Sequence, residues 1–345
     1  MKYLKNIAIL APLFIISCVG QVEPAGESQL TIEVSKPQIS VAEGESVEIK
    51  VKNWGDNITD EAQIFYTYAG EKTALDASEF TASKAGEYTF TATYKDQECH
   101  QSVTVRAYTD DELTDTFFRR HLVMKLTGTW CVNCPMMGDV LTELEHKMPF
   151  ELVEIAIHDD EELRIAAGKE FILANNYIFL PTVVVDMDTE NEITKSSGEL
   201  VSSAIANSAN TNPTVSGVRI SSKLNSNKVD IEVGVIATTA GDYKLAVALV
   251  ADNYHYPQTG ASSPLYKQNK VLRSVVSNLY GDSIDALSVN TECVKSYQME
   301  LPADLKGDCR VVAYLLNQTS NGQYRVNNVT ECEVGHEIDY IYNLK

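Results

Sequence analysis

The sequence predicts a multidomain chain, all-β at both ends and α/β in the middle. Three observations carry this. Residues 30–107 and 213–345 alternate apolar and polar positions with a period of two, the pattern of half-buried strands. Residues 109–210 instead mix short apolar runs with stretches of helical period. A single Cys-x-x-Cys, Cys131 to Cys134, stands where an apolar run gives way to one of those helical stretches.

The chain begins with an address. Lys2 and Lys5 precede an apolar run, Ile7 to Ile16, which is too short to span a bilayer and has the length of a signal h-region. It ends Ile15-Ile16-Ser17-Cys18, which resembles a bacterial lipobox, with Cys18 as the lipidated new N-terminus. Residues 1–17 are expected to be removed and residues 18–29, with Pro24, Gly26 and Ser28, to form a lipidated tether. No later run of eighteen apolar residues predicts a transmembrane helix. The body is therefore expected to be membrane-attached through lipid and to lie in an oxidising compartment.

Residues 30–108 are expected to form a small β-sandwich. Leu30, Ile32 and Val34 share one strand face, Val47, Ile49 and Val51 another, and Tyr88, Phe90, Ala92 and Tyr94 a third. The stretch Ala85-Gly86-Glu87-Tyr88-Thr89-Phe90 resembles the tyrosine corner of immunoglobulin-like domains, with Phe90 where antibody domains carry cysteine. Nothing here has the composition of a catalytic constellation, and the segment reads first as a spacer and second as a ligand-binding domain.

Residues 109–211 predict the order βαβαββα. Leu122 to Leu126 is a strand, and Met137, Val140, Leu141 and Leu144 mark an amphipathic helix. Leu152 to Ile157 is a second strand. Leu163, Ala167, Phe171 and Ala174 mark a second helix, ended by Asn175-Asn176. Thr182 to Val185 is a third strand, Ile193-Thr194 a fourth, and residues 199–209 a last helix. The acidic run Asp159-Asp160-Glu161-Glu162 falls where the second helix is expected to begin, where it suits the helix dipole.

Residues 212–345 predict a second β-sandwich. Val229 to Val235 and Leu245 to Leu249 alternate, and Val311–Leu316 and Tyr324–Val329 read as the arms of a hairpin around Ser320-Asn321-Gly322. The long polar stretch 253–269, with Tyr254, His255, Tyr256 and Tyr266, reads first as a solvated excursion and second as a binding loop.

Composition excludes one class of function. There are 28 Lys and Arg against 48 Asp and Glu, a formal net charge of −20. No nucleic-acid partner is expected of such a chain, because phosphates would be repelled. Within residues 109–210 there are 19 acids and 7 bases, so the excess concentrates around the Cys-x-x-Cys.

A Cys-x-x-Cys between strand and helix has a mechanical meaning. The helix N-terminus stabilises a thiolate on the first sulfur, so Cys131 is the candidate nucleophile and Cys134 the resolving thiol. Pro135 suits a first helical turn. Zinc would need four ligands, and haem attachment would need His where Pro135 stands, so neither metal nor cofactor is expected. A purely structural disulfide satisfies the same residues. Among the other cysteines, symmetric pairing of the hairpin about residues 320–321 would set Cys309 opposite Cys332, within reach of a disulfide. Free buried thiols are the alternative there.

Thr129-Trp130-Cys131-x-x-Cys134, followed by a helix, resembles the thioredoxin active site, and Leu180-Pro181-Thr182 before a strand resembles the thioredoxin cis-proline loop. The resemblance covers about 100 residues. It implies that Trp130 shields the sulfurs and that Leu180 and Pro181 present backbone to an extended substrate. Lys125 stands six residues before Cys131, where thioredoxin has a buried Asp, so that proton acceptor is missing.

The wider sequence is similar to the Omp28-related lipoproteins of Bacteroidetes. The basis is the lipobox, Thr127 to Pro135, Val271-Leu272-Arg273 and Asn327-Asn328-Val329-Thr330-Glu331-Cys332. This implies an outer-membrane lipoprotein, facing the periplasm or the cell surface. The expected activity is thiol–disulfide exchange with protein thiols and disulfides or a membrane redox partner. The alternative is a non-enzymatic binding lipoprotein on a thioredoxin-like scaffold.

Overall fold

A computed structural model describes residues 30–262, 266–305 and 307–345. Cys18, the signal and the tether lie outside the described residues. Among the described residues the architecture is mostly β, arranged as stacked sheets with three α-helices.

Residues 30–108 fold as two facing sheets, of four and six strands. Alternation puts Ile32, Val47, Ile49, Val51, Tyr88, Phe90, Ala92 and Val105 into one core that draws only on this segment. Tyr88 donates its hydroxyl hydrogen bond to the Lys84 carbonyl at 3.0 Å, the contact expected of a tyrosine corner.

The remaining chain is organised by one eight-stranded sheet. Its principal strands are β1 (His121–Thr127), β2 (Leu152–His158), β3 (Thr182–Val185), β4 (Tyr243–Ala251), β5 (Val271–Val275), β6 (Cys309–Gln318) and β7 (Tyr324–Glu333). They lie in the order β3-β1-β2-β5-β4-β6-β7. β1 and β2 are parallel, β3 is antiparallel to β1, and β5 joins parallel to β2 at Ala156↔Val271. The sheet thus runs without a break across the 211/212 division drawn from composition. That junction is one parallel backbone pairing, which leaves no side-chain signature in either strand.

The period of two decides what each face buries. Leu122, Met124, Leu126, Val153, Ile155 and Ile157 form one core with Ala248, Val250, Val312 and Tyr314, and it includes Phe171 and Ile172 of α2 (Ala166–Ala174). On the opposite face, Val123, Val183 and Val185 meet α1 (Cys134–Lys147) and α3 (Gly198–Thr211). Farther along that face, Leu245, Val247, Leu249, Val311 and Ala313 pack on a four-stranded sheet that carries Val229, Ile231, Val233 and Val235.

Three expectations need correction. The fourth strand at Ile193-Thr194 is a single bridge, Val183↔Ile193. The acidic run does not open a helix: α2 starts at Ala166 with no acid in its first turn. Cys309 and Cys332 are not bonded to each other. The hairpin forms, but its arms pair about residue 321, and a bulge at Leu315/Leu316 shifts the register by one more residue, so Cys332 faces Val311 while Cys309 faces Ala251 on β4. Burial pushes the Cys309 thiol up to about 11 and the Cys332 thiol up to about 12, so both are inert apolar residues at neutral pH.

Candidate functional site

The site grows out of the C-terminal end of β1. The chain leaves the sheet at Thr127, turns through Gly128 and Thr129, and enters α1 at Cys134. Asn133 is the N-cap residue, and Pro135 sits in the first turn, where its missing N–H is no loss. Cys131 lies just before the helix rather than on its first turn. Its carbonyl accepts from Cys134 N–H, and its own N–H donates to the Gly128 carbonyl at 3.0 Å. Cys131 and Cys134 form a disulfide with Cα atoms 5.4 Å apart. Among the described residues it is the disulfide the chain makes; Cys99, Cys293, Cys309 and Cys332 are free thiols.

The Leu180–Pro181 bond is cis. The register Leu126↔Thr182 carries Pro181 to the level of Thr127, so it lies at the same end of the sheet as the disulfide loop. Pro181 is buried and Leu180 half-buried. On the segments that flank the disulfide and the cis-proline, Trp130, Val132, Met136, Ile178 and Phe179 are all exposed and form an apolar rim. Trp130 packs its indole against Gly128, where a Cβ would sit 3.0 Å from Nε1, and leaves 56% of its surface open.

Lys125 is paired with Glu154 at 2.6 Å beneath the loop. Burial works against its charge, yet Glu154 more than offsets this and raises its pKa. The position that lacks the expected acid is therefore a buried ion pair. Glu154 also faces Lys270 of the C-terminal segment, at 3.7 Å.

Two groups to which sequence reasoning assigned other roles hold the loop. Asp160, only 4% exposed, accepts from Thr129 N–H at 3.1 Å, Leu163 N–H at 3.0 Å and His158 Nδ1 at 2.7 Å. Burial opposes its charge, but these donors outweigh it and keep the carboxyl below its ordinary range. His158 Nε2 is buried without a protein partner, and burial lowers the His158 pKa. The second group belongs to the 253–269 stretch, which is not a free excursion. A bridge between Tyr254 and Gln268 closes its base. Gln258 Nε2 donates to the Cys131 carbonyl at 2.9 Å, and Thr259 N–H donates to the Thr129 carbonyl at 2.8 Å. Gly260, at φ +83°, presses on the Val132 backbone so closely that a Cβ would fall 2.2 Å from the Val132 oxygen. In this arrangement Cys131 is 4% and Cys134 3% exposed. The missed signal was Gln258-Thr259-Gly260 itself, a tight turn closed by Ala261 N–H donating to the Gln258 carbonyl, with the glycine at its positive-φ position.

A cavity of about 790 Å³ lies between the N-terminal sandwich and the large sheet, lined by Lys52, Asp252, Lys270, Arg310 and Glu331 among others. Its charges pair with one another, as in Arg310–Asp252 at 3.0 Å, and it lies apart from the disulfide.

The family model of outer membrane protein Omp28 matches residues 176–338. Over this stretch, just under half of its length, the chain is similar to the Omp28 family. The matched span contains Leu180, Pro181 and the loop 253–269, whereas Cys131 and Cys134 precede it. No curated protein matches the chain. Among solved structures, HBP35 of Porphyromonas gingivalis is 14% identical with a TM-score of 0.54, over 64% of this chain and 77% of that one. At that identity the likeness speaks for fold alone. A structural-genomics protein from Agrobacterium tumefaciens is 15% identical with a TM-score of 0.41, over 66% of this chain and 98% of that one. Among the described residues no helix is long and apolar enough to cross a membrane.

Proposed function

We propose that this protein is an outer-membrane lipoprotein of the Omp28 family and a lipid-anchored thiol–disulfide oxidoreductase of thioredoxin type, attached to the membrane through Cys18. The observation that carries the reading is the Cys131–Cys134 disulfide at the entry to α1, with the Leu180–Pro181 loop at the same end of the sheet. In the reduced protein the Cys131 thiolate attacks one sulfur of a substrate disulfide and forms a mixed disulfide, releasing the other substrate sulfur as a thiolate. Cys134 then attacks Cys131 Sγ, the substrate leaves with two thiols, and the two electrons have come from the protein's dithiol. The run in the opposite direction oxidises a substrate dithiol. The exposed rim of Trp130, Val132, Met136, Ile178 and Phe179 suits unfolded or extended polypeptide, with the Leu180 backbone offered for strand-like pairing. Protein thiols and disulfides, or a membrane redox partner, are the partners this implies.

A second reading has its own support. Both sulfurs belong to buried residues, and the Omp28 match leaves the Cys-x-x-Cys outside. A binding lipoprotein with a structural disulfide accounts for both facts. The test is the Cys134→Ala variant in the native cell envelope. Covalent complexes through Cys131 that dithiothreitol releases, together with reduction of insulin by the wild type, support the oxidoreductase. Failure of both leaves the binding protein.

A further inference from the structure

We propose that residues 254–262 are a latch on the disulfide, which must lift before either sulfur can exchange. The inference rests on reading the Cys131–Cys134 pair as exchange-competent. The latch comes from the C-terminal β segment, far in sequence from the loop it covers, and it binds that loop's backbone rather than its side chains. Thr259 N–H holds the Thr129 carbonyl and Gln258 Nε2 the Cys131 carbonyl, while Gly260 lies against Val132 O. Gln258 is itself oriented, because its Oε1 accepts from Gln268 Nε2 at 2.8 Å, and Gln268 is buried in the base of the latch. Beside it, Tyr266 reaches α1, where a Cβ on Gly138 would stand 3.2 Å from its hydroxyl.

Such contacts suit a latch that opens. Three backbone carbonyls of the Cys-x-x-Cys loop, those of Gly128, Thr129 and Cys131, accept from it, and all are satisfied equally well by water or by the N–H groups of an incoming extended peptide. The contact through Gly260 is the tightest, and it is one that no other residue type permits at a left-handed φ with an oxygen so near. Asp160 holds the same loop from beneath and does not depend on the latch, so lifting the latch leaves the loop in place. A partner then displaces the latch by taking over its hydrogen bonds, and the disulfide stays shielded from small reductants until it does.

The test uses the full chain and dithiothreitol. One dithiothreitol delivers two electrons and two protons, leaves as its cyclic disulfide, and converts Cys131 and Cys134 to thiols, which are scored by alkylation and peptide mass. Gln258→Ala removes the side-chain donor shared by the Cys131 and Gly128 carbonyls, so reduction is expected to quicken about two- to tenfold. Gly260→Ala forces the latch away from Val132 and is expected to exceed tenfold. In the wild type, sub-denaturing urea is expected to leave the rate nearly flat, because a latch exposes little surface when it lifts. Rates within twofold of wild type for Gln258→Ala, or a wild-type rate that climbs with urea as steeply as global unfolding, overturn the latch. If Gly260→Ala does not fold, the Gln258→Ala rate and the urea series decide. Faster reduction of the variants without insulin turnover keeps the latch and removes the oxidoreductase. Insulin turnover with equal dithiothreitol rates removes the latch alone.

Discussion

Asp160 is the strongest test of how the disulfide loop is built. Its carboxylate accepts three hydrogen bonds at 2.7–3.1 Å, from Thr129 N–H, Leu163 N–H and His158 Nδ1, and the residue is nearly sealed from water. Asp160→Ala leaves two backbone N–H groups and an imidazole without their acceptor. A buried donor left unpaired costs about 1–3 kcal/mol, and partial entry of water trims the sum, so a loss of about 3 kcal/mol is expected. Urea unfolding in a Trp54→Phe background, where Trp130 fluorescence reports on the loop itself, measures it. The pH dependence follows from the depressed carboxyl pKa. A carboxylate whose folded pKa lies below its unfolded value of about 3.9 gives its full stabilisation above that value. The stabilisation is lost as pH falls through the folded pKa. The gap between wild type and variant should therefore narrow below about pH 4. A loss under about 1 kcal/mol, or a gap that does not narrow in acid, refutes the account of Asp160 as the loop's anchor.

Two further outcomes follow from buried groups elsewhere. Asp186, 1% exposed, accepts from Arg119 at 2.8 Å, His121 Nδ1 at 2.6 Å, Ser208 at 2.6 Å and Leu122 N–H at 2.8 Å. Asp186→Ala strands the Arg119 charge and should cost about 3–5 kcal/mol in equilibrium unfolding. A thiol count of the denatured, unreduced protein should label Cys99, Cys293, Cys309 and Cys332 but neither Cys131 nor Cys134, read by alkylation and peptide mass. Recovery of a Cys309–Cys332 peptide pair would contradict the hairpin register.

What the residues disclosed and what they concealed divides along the range of the interactions. The period of α1, with Met137, Leu141 and Leu144 buried, the strands on either side of it and the Cys-x-x-Cys at its entry are local patterns, and all were legible. The hairpin was legible too, but its register was not, because the bulge at Leu315/Leu316 depends on backbone geometry that the alternating Val and Leu residues do not encode. The acidic run misled for a related reason. Four acids before a helical stretch look like a dipole cap, yet Asp160 turns back to the Thr129 amide thirty-one residues earlier. Gln258 holds the Cys131 carbonyl across 127 residues, and nothing in a polar loop announces a backbone acceptor at that distance.

The acidic excess of residues 109–210 acquires a physical meaning once the sheet is traced. Glu145 and Glu154 pair with Lys270, and Asp188 with Arg325 at 2.6 Å, so cations of the C-terminal segment neutralise acids of the middle one. The same two segments share a sheet through β2 and β5 and share one core on its α2 face. A fragment of residues 109–211 would lose all three at once. β2, buried along its whole length, would become an open edge, and Glu154 would lose Lys270. That fragment should show no cooperative unfolding transition and should aggregate. Residues 109–345, which keep both halves of the core while shedding only the self-contained N-terminal sandwich, should unfold cooperatively. A sharp transition from the shorter fragment would mean that the middle segment is a domain in its own right and that the C-terminal strands are added to a sheet already stable. The latch would then be an accessory that docks on a finished site, whereas failure of the fragment makes the disulfide loop and its cover parts of a single folding unit.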